Sequence, residues 1–161
     1  MTTTITPFLW FDRGKAKEAA EFYCSIFPNS RIVSVARYPQ DAPGPAGEVM
    51  TVEYELDGQR FVHINGGPQF TFSEAVSLQI ECADQAELDH YWEKLLDGGE
   101  VSQCGWLKDR YGFSWQVVPV GIEELFTDPD PGRAYRAFQA MLTMTKLDIE
   151  AIRRAADSVP A

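Results

Sequence analysis

No apolar run in the chain approaches the roughly 18–20 residues that a membrane-crossing helix needs. Basic side chains are scarce: 14 Lys and Arg stand against 24 Asp and Glu, a formal charge of −10 with a pI near 4.6. That balance argues against nucleic-acid partners, because sequence-independent binding relies on cations that neutralise phosphates. Cysteine is sparse as well. Cys24, Cys82 and Cys104 are an odd count without paired spacing, which fits a reducing compartment better than a disulfide framework. The opening residues Met1-Thr2-Thr3-Thr4 lack the basic and apolar regions of a secretion signal. These absences predict an acidic, cytoplasmic protein with no membrane partner. What is present is ordinary for a globular chain: 161 residues, 45% apolar and 24% charged, enough for one domain or two half-size modules sharing one core.

Periodicity divides the chain. Thr6 to Phe11 reads as a short aromatic strand; from Gly14 to Phe27, Ala16, Ala19, Ala20, Tyr23, Ile26 and Phe27 recur at helical spacing, and Pro28-Asn29 closes the segment. Arg31 to Tyr38 is β-branched, and the proline-rich stretch 39–45 is a loop. Glu48 to Leu56 and Gln59 to Asn65 flank Asp57-Gly58, a hairpin signal. After Gly66-Gly67-Pro68 the order restarts: a strand over Val76 to Cys82, a helix over Ala86 to Leu96 with Gly98-Gly99 behind it, then strands over Val101 to Lys108 and Phe113 to Val120 around a turn at 109–112. The two stretches align at an offset of 69 positions, Phe22 with Tyr91, Tyr23 with Trp92, Ile26 with Leu95, Phe8 with Ser77 and Trp10 with Gln79. The fold class expected is α+β, two β-α-β-β-β modules over 5–67 and 75–120. A helical extension follows over 121–157: a short turn at Ile122 to Phe126, then helices over Arg133 to Met144 and Asp148 to Ala156, with Asp148 as N-cap.

The run from Gly98 to Pro119, with Cys104-Gly105-Trp106-Leu107-Lys108-Asp109-Arg110-Tyr111-Gly112 and Ser114-Trp115-Gln116 at its centre, resembles the signature of PhnB-like proteins. These belong to the vicinal oxygen chelate superfamily, beside glyoxalase I and bleomycin-resistance proteins. Pro7 to Phe11, Glu21-Phe22-Tyr23, Asn65-Gly66-Gly67-Pro68 and the tail from Met144 to Ile149 extend the likeness over about 5–157. It implies the glyoxalase/bleomycin-resistance/dioxygenase-like fold, each sheet curling around a cavity, and commonly a homodimer. Proteins with this pattern often carry the label 3-demethylubiquinone-9 3-methyltransferase.

Relatives of this kind hold a divalent metal with His, Glu or Gln on the sheet faces that line the cavity, because such ions need several converging oxygen and nitrogen donors. The corresponding positions here are Phe8, His63, Ser77 and Gln116. Phe cannot bind a metal and Ser binds one poorly, so His63 and Gln116 are the only, weak, metal candidates. No tightly held metal is expected. His63 also fits a hydrogen-bonded core histidine, and His90 a solvated helix face. Strand alternation puts Ser77 and Gln79 opposite Leu78 and Ile80. The expected ligand-facing set is Phe8, Trp10, His63, Ser77, Gln79, Trp106, Ser114 and Gln116, with Phe61, Asn65, Phe70 and Phe72 as further candidates. Flat aromatic surface beside neutral donors and acceptors suits a small, partly aromatic or amphipathic molecule.

Three functions compete. One is a PhnB-like protein binding such a molecule, with a reaction the residues do not name. Another is a ligand-sequestering protein of the bleomycin-resistance type, which the depleted metal set favours. The third is methyl transfer, as the label says. S-adenosylmethionine calls for a glycine-rich strand-to-helix turn, and Phe11-Asp12-Arg13-Gly14-Lys15 has one glycine; this cofactor is therefore not expected. Asp109-Arg110 reads as a turn carrying a local charge pair.

Overall fold

A computed structural model describes residues 3–12 and 14–158. The chain divides into two units, residues 1–72 and 73–161.

In the first unit, strand β1 (Phe8–Phe11) leads into helix α1 (Ala16–Ile26), then β2 (Arg31–Arg37), β3 (Val49–Leu56) and β4 (Gln59–Asn65). The helix forms where Ala16, Ala19, Ala20, Tyr23 and Ile26 make one buried stripe, and ends where Phe27 turns extended ahead of Pro28. Asp57 and Gly58 both take positive φ, 46° and 77°, which a tight two-residue hairpin requires. The sheet order is β1-β4-β3-β2, with β1 parallel to β4. Register assigns the faces. Leu9, Phe11, Val52, Tyr54, Leu56, Phe61 and His63 lie on the α1 side and are buried. Phe8, Trp10, Val62 and Ile64 lie on the other.

The second unit repeats the order. Strand β5 (Ser77–Cys82) is followed by α2 (Gln85–Leu96), β6 (Glu100–Val101), β7 (Trp106–Lys108) and β8 (Ser114–Pro119), in the sheet order β5-β8-β7-β6. The Asp84 carboxylate caps α2 by accepting from the Glu87 amide at 2.9 Å. Leu107, Trp115 and Val117 are buried on the face that meets α2. Both units are therefore βαβββ, as the sequence predicts.

The strand expected over Val101 to Lys108 is two strands. Between them Cys104 and Gly105 take φ of 56° and 81°, and the Trp106 amide closes the turn on the Gln103 carbonyl at 3.0 Å. Cysteine is not a turn former, so Cys104 gave no sign of the break. The extension forms α3 (Ile122–Phe126), α4 (Pro131–Leu142) and α5 (Ile149–Asp157), with Asp148 capping α5 through the Ala151 amide at 2.8 Å. Of the apolar tail residues, Leu147, Ile149, Ile152 and Ala156 are buried, whereas Phe138 and Leu142 on α4 stay exposed. Among the described residues, no helix is long and apolar enough to cross a membrane.

Candidate ligand-binding faces

Ser77, Gln79, Trp106, Ser114 and Gln116 stand together on one face of the second sheet. The register pairs Ser77 with Ser114 and Gln79 with Gln116 across β5 and β8, and Trp106 with Gln116 across β7 and β8. Registered residues point to the same side, and Trp115, between Ser114 and Gln116, points to α2. The Gln116 amide Nε2 donates to Ser77 Oγ at 2.8 Å, leaving the amide oxygen as an acceptor and the Ser77 hydroxyl hydrogen as a donor. Gln79 is exposed and reaches Glu81 and Glu123 at 3.5 and 3.4 Å. Ser114 is 1% exposed, and its hydroxyl has no hydrogen-bond partner. An orphaned buried hydroxyl costs about 1–3 kcal/mol and calls for an explanation. In register with Ser114 is Lys108, whose ammonium is held by Glu74 at 2.5 Å. That bond keeps the Glu74 carboxyl below, and the Lys108 amine above, their ordinary values.

The expected face of the first unit is partly different. Phe8 is 61% exposed there. Trp10 is fixed: its indole donates to the Gly67 carbonyl at 2.8 Å and meets Phe70 edge-on with centroids 5.0 Å apart. Gly66 is required beside it, because a Cβ would fall 2.1 Å from the Trp10 ring.

His63, by contrast, is turned to α1. It is fully buried, with Nδ1 donating to the Ala16 carbonyl at 2.9 Å and Nε2 accepting from the Tyr54 hydroxyl at 2.6 Å. Burial drives its pKa down to about 4, against the opposing bond to Ala16, so the ring is neutral. It is the hydrogen-bonded core histidine. A shift of one residue along a strand exchanges faces, and Val62 and Ile64 are the residues in register with Phe8 and Trp10. Ile64 thus occupies in the first unit the place Gln116 holds in the second. Phe61 stacks on Tyr54 at 5.5 Å, and Phe72 packs on Phe11 at 5.1 Å. Asn65 is also structural, its side chain accepting from the Ala16 amide and donating to the Val49 carbonyl.

The residues do not fit a divalent metal. Phe8 and Ile64 carry no lone pairs, Ser77 and Gln116 bond to each other, and His63 faces away. Among the described residues there is no group of three His, Cys, Asp or Glu able to surround an ion. At the start of α2, backbone donors are already used. The β5–α2 junction has no glycine, and its amides already bond Asp84 and Glu87. A cleft of about 710 Å³ opens elsewhere in the second unit, at the start of α2 and α5, among Asp84, Gln85, Asp89, Lys146, Asp148 and Arg153. Several of its polar groups are bonded to each other or to backbone: Lys146 pairs with Asp89 at 2.6 Å, and Gln85 bonds the Leu147 carbonyl and the Ile149 amide.

Asp109 carries a function the turn reading missed. The carboxylate is buried and accepts from the amides of Tyr111 and Phe113 and from the Trp115 indole, at 2.8, 3.1 and 2.8 Å. Arg110 pairs with Asp97. Asp109 therefore holds β8, and the Ser114–Gln116 segment with it, against β7. The signal available in sequence was an acidic residue two and four positions before backbone donors and six before an indole.

Residues 3–118 match the family described as 3-demethylubiquinone-9 3-methyltransferase. That match ends inside β8, so the extension lies beyond it, although the likeness read from sequence ran on to 157. A PhnB protein from Bacillus cereus, described by the same activity, is 39% identical with a TM-score of 0.65, over 72% of this chain and 99% of that one. Protein PA1353 from Pseudomonas aeruginosa is 20% identical with a TM-score of 0.60, over 73% and 97%. The fosfomycin resistance protein FosX from Listeria monocytogenes is 16% identical with a TM-score of 0.53, over 77% and 96%. These last two share the fold alone. No curated protein matches the chain.

Proposed function

Because the chain belongs to the 3-demethylubiquinone-9 3-methyltransferase family, a PhnB-like branch of the glyoxalase superfamily, we propose that it binds a small molecule on the β5-β8-β7 face without the help of a metal. The ligand is uncharged and carries a flat ring with oxygen substituents. Trp106 supplies the stacking surface, Ser77 and Ser114 the hydroxyls, and Gln116 an amide oxygen. The observation that carries this reading is the Ser114 hydroxyl, buried without a partner beside Ser77 on that face. A ligand atom bonded there removes the desolvation cost that the protein alone leaves standing.

Binding without turnover is favoured over catalysis. The proposed ligand-contacting groups, Ser77, Trp106, Ser114 and Gln116, are neutral, and Lys108, which shares their face, is committed to Glu74, so none of them is poised to move a proton. The family description supports methyl transfer as the second reading.

Native mass spectrometry of gently purified protein, followed by soaking with uncharged hydroxylated bicyclic aromatics, tests the proposal. Ser114→Ala is expected to lose the bound mass while stabilising the empty protein by about 1 kcal/mol, since an orphan hydroxyl is removed. Wild-type occupancy in Ser114→Ala, or a wild type that takes up none of these molecules, refutes it.

A further inference from the structure

The turn between β6 and β7 is held from outside the family region. The amides of Cys104 and Gly105, its two positive-φ residues, donate to the carbonyls of Met144 and Thr145, both at 2.8 Å. Cys104 is a side-chain-bearing residue in a conformation that favours glycine, so the turn does not hold itself at its best. Gly105 has no room for more: a Cβ would lie 2.9 Å from the Val117 carbonyl and 3.1 Å from Leu147 Cδ1. Leu147 is fully buried against that glycine. The segment is latched in turn to α2, where Gln85 donates to the Leu147 carbonyl at 3.1 Å and accepts from the Ile149 amide at 2.9 Å. Directly after the turn comes Trp106. Its amide bonds Gln103, its carbonyl takes the Ser102 amide, and its side chain shares the face of Gln116.

We propose that Met144–Leu147 positions Trp106, so that the C-terminal extension governs the stacking surface of the ligand face. This rests on the reading of that face given above. The segment touches no ligand; it acts through the Cys104-Gly105 turn, whose conformation sets the direction in which β7 leaves and hence where the indole stands. Anything that unlatches the extension lowers affinity at the face without altering a ligand-contacting residue.

The test uses the full-length protein labelled with 5-fluorotryptophan, whose four tryptophans give separate fluorine resonances. Trp106→Phe assigns the line of interest. Gln85→Ala loosens the latch and Leu147→Ala opens the contact with Gly105. Both are expected to move the Trp106 line by more than its own width and leave the Trp10 line in place. Adding Cys104→Gly to Gln85→Ala is expected to return the Trp106 line, since glycine holds the turn unaided. An unmoved Trp106 line in Gln85→Ala overturns the proposal. So does equal movement of the Trp10 line, or a Cys104→Gly double variant that restores nothing. No ligand is added, so the result stands whether or not the face binds the molecules tested above.

Discussion

Acid should weaken this protein as the pH drops below 6.5, and His63 is the reason. In the folded chain its ring titrates at about 4, against an ordinary value of 6.5. The cause is burial, only partly offset by the bond to the Ala16 carbonyl. Between those two values the unfolded chain holds a proton on this histidine that the folded chain refuses. Stability therefore falls as pH drops through 6.5 towards 4, and is independent of this group above 6.5. The whole shift corresponds to about 3 kcal/mol, of which about 2 kcal/mol is lost by pH 5. Two paired carboxylates lie outside that window. Glu74 and Asp89, bonded by Lys108 and Lys146, are held below their ordinary values of 4.5 and 3.8 and stay ionised at pH 5. Urea unfolding of the wild type and of His63→Gln at pH 7.5 and pH 5 measures the effect. The variant can still donate to Ala16 and accept from Tyr54 but cannot take the proton. It should show a flat profile where the wild type loses about 2 kcal/mol. A wild type equally stable at both pH values, or a variant with the same slope, refutes the account.

Elemental analysis after mild purification should find well under one divalent metal per chain, because Phe8, Ile64 and His63 leave too few donors on the expected faces; a stoichiometric metal contradicts it. Calorimetry with S-adenosylmethionine should give no saturable heat, and micromolar binding would favour the methyl-transfer reading instead. The homodimer implied by the resemblance to PhnB-like proteins predicts a light-scattering mass of twice 18.1 kDa at tens of micromolar, and a monomer mass refutes it.

Much of the scaffold was legible because single periodicities decide it. The α1 and α2 stripes, the Asp57-Gly58 hairpin and the shared face of Ser77 and Gln79 follow from spacing, whereas Gln116 was placed by the family resemblance. His63 was misplaced because a strand buried on both faces, Phe61-Val62-His63, gives no alternation from which to read a side. The Cys104-Gly105 turn was hidden because its stabilising partners, Met144 and Thr145, stand some 40 positions away. Asp109 was read as half of a local charge pair because Arg110 follows it directly, whereas its partners are the Trp115 indole and two backbone amides. Alternation could assign Ser114 to its face, but only the packed structure shows that its hydroxyl is shut away from water.

The edge position of β1 constrains how the first unit is made. Among the described residues its neighbour in the sheet is β4, and Phe8 pairs with Val62, so the first strand waits for the last. The start of α1 waits too: the Ala16 amide and carbonyl are taken by Asn65 and His63. β5 depends on β8 in the same way. On the ribosome, the aromatic segment from Phe8 to Phe11 emerges long before anything can cover it, and the β2–β3–β4 meander must assemble first. Contacts of such long sequence separation slow folding and prolong the exposure of sticky surface. A nascent chain stalled just short of Asn65 would lack the β4 strand on which Leu9 and Phe11 pair, leaving this apolar stretch without its sheet neighbour.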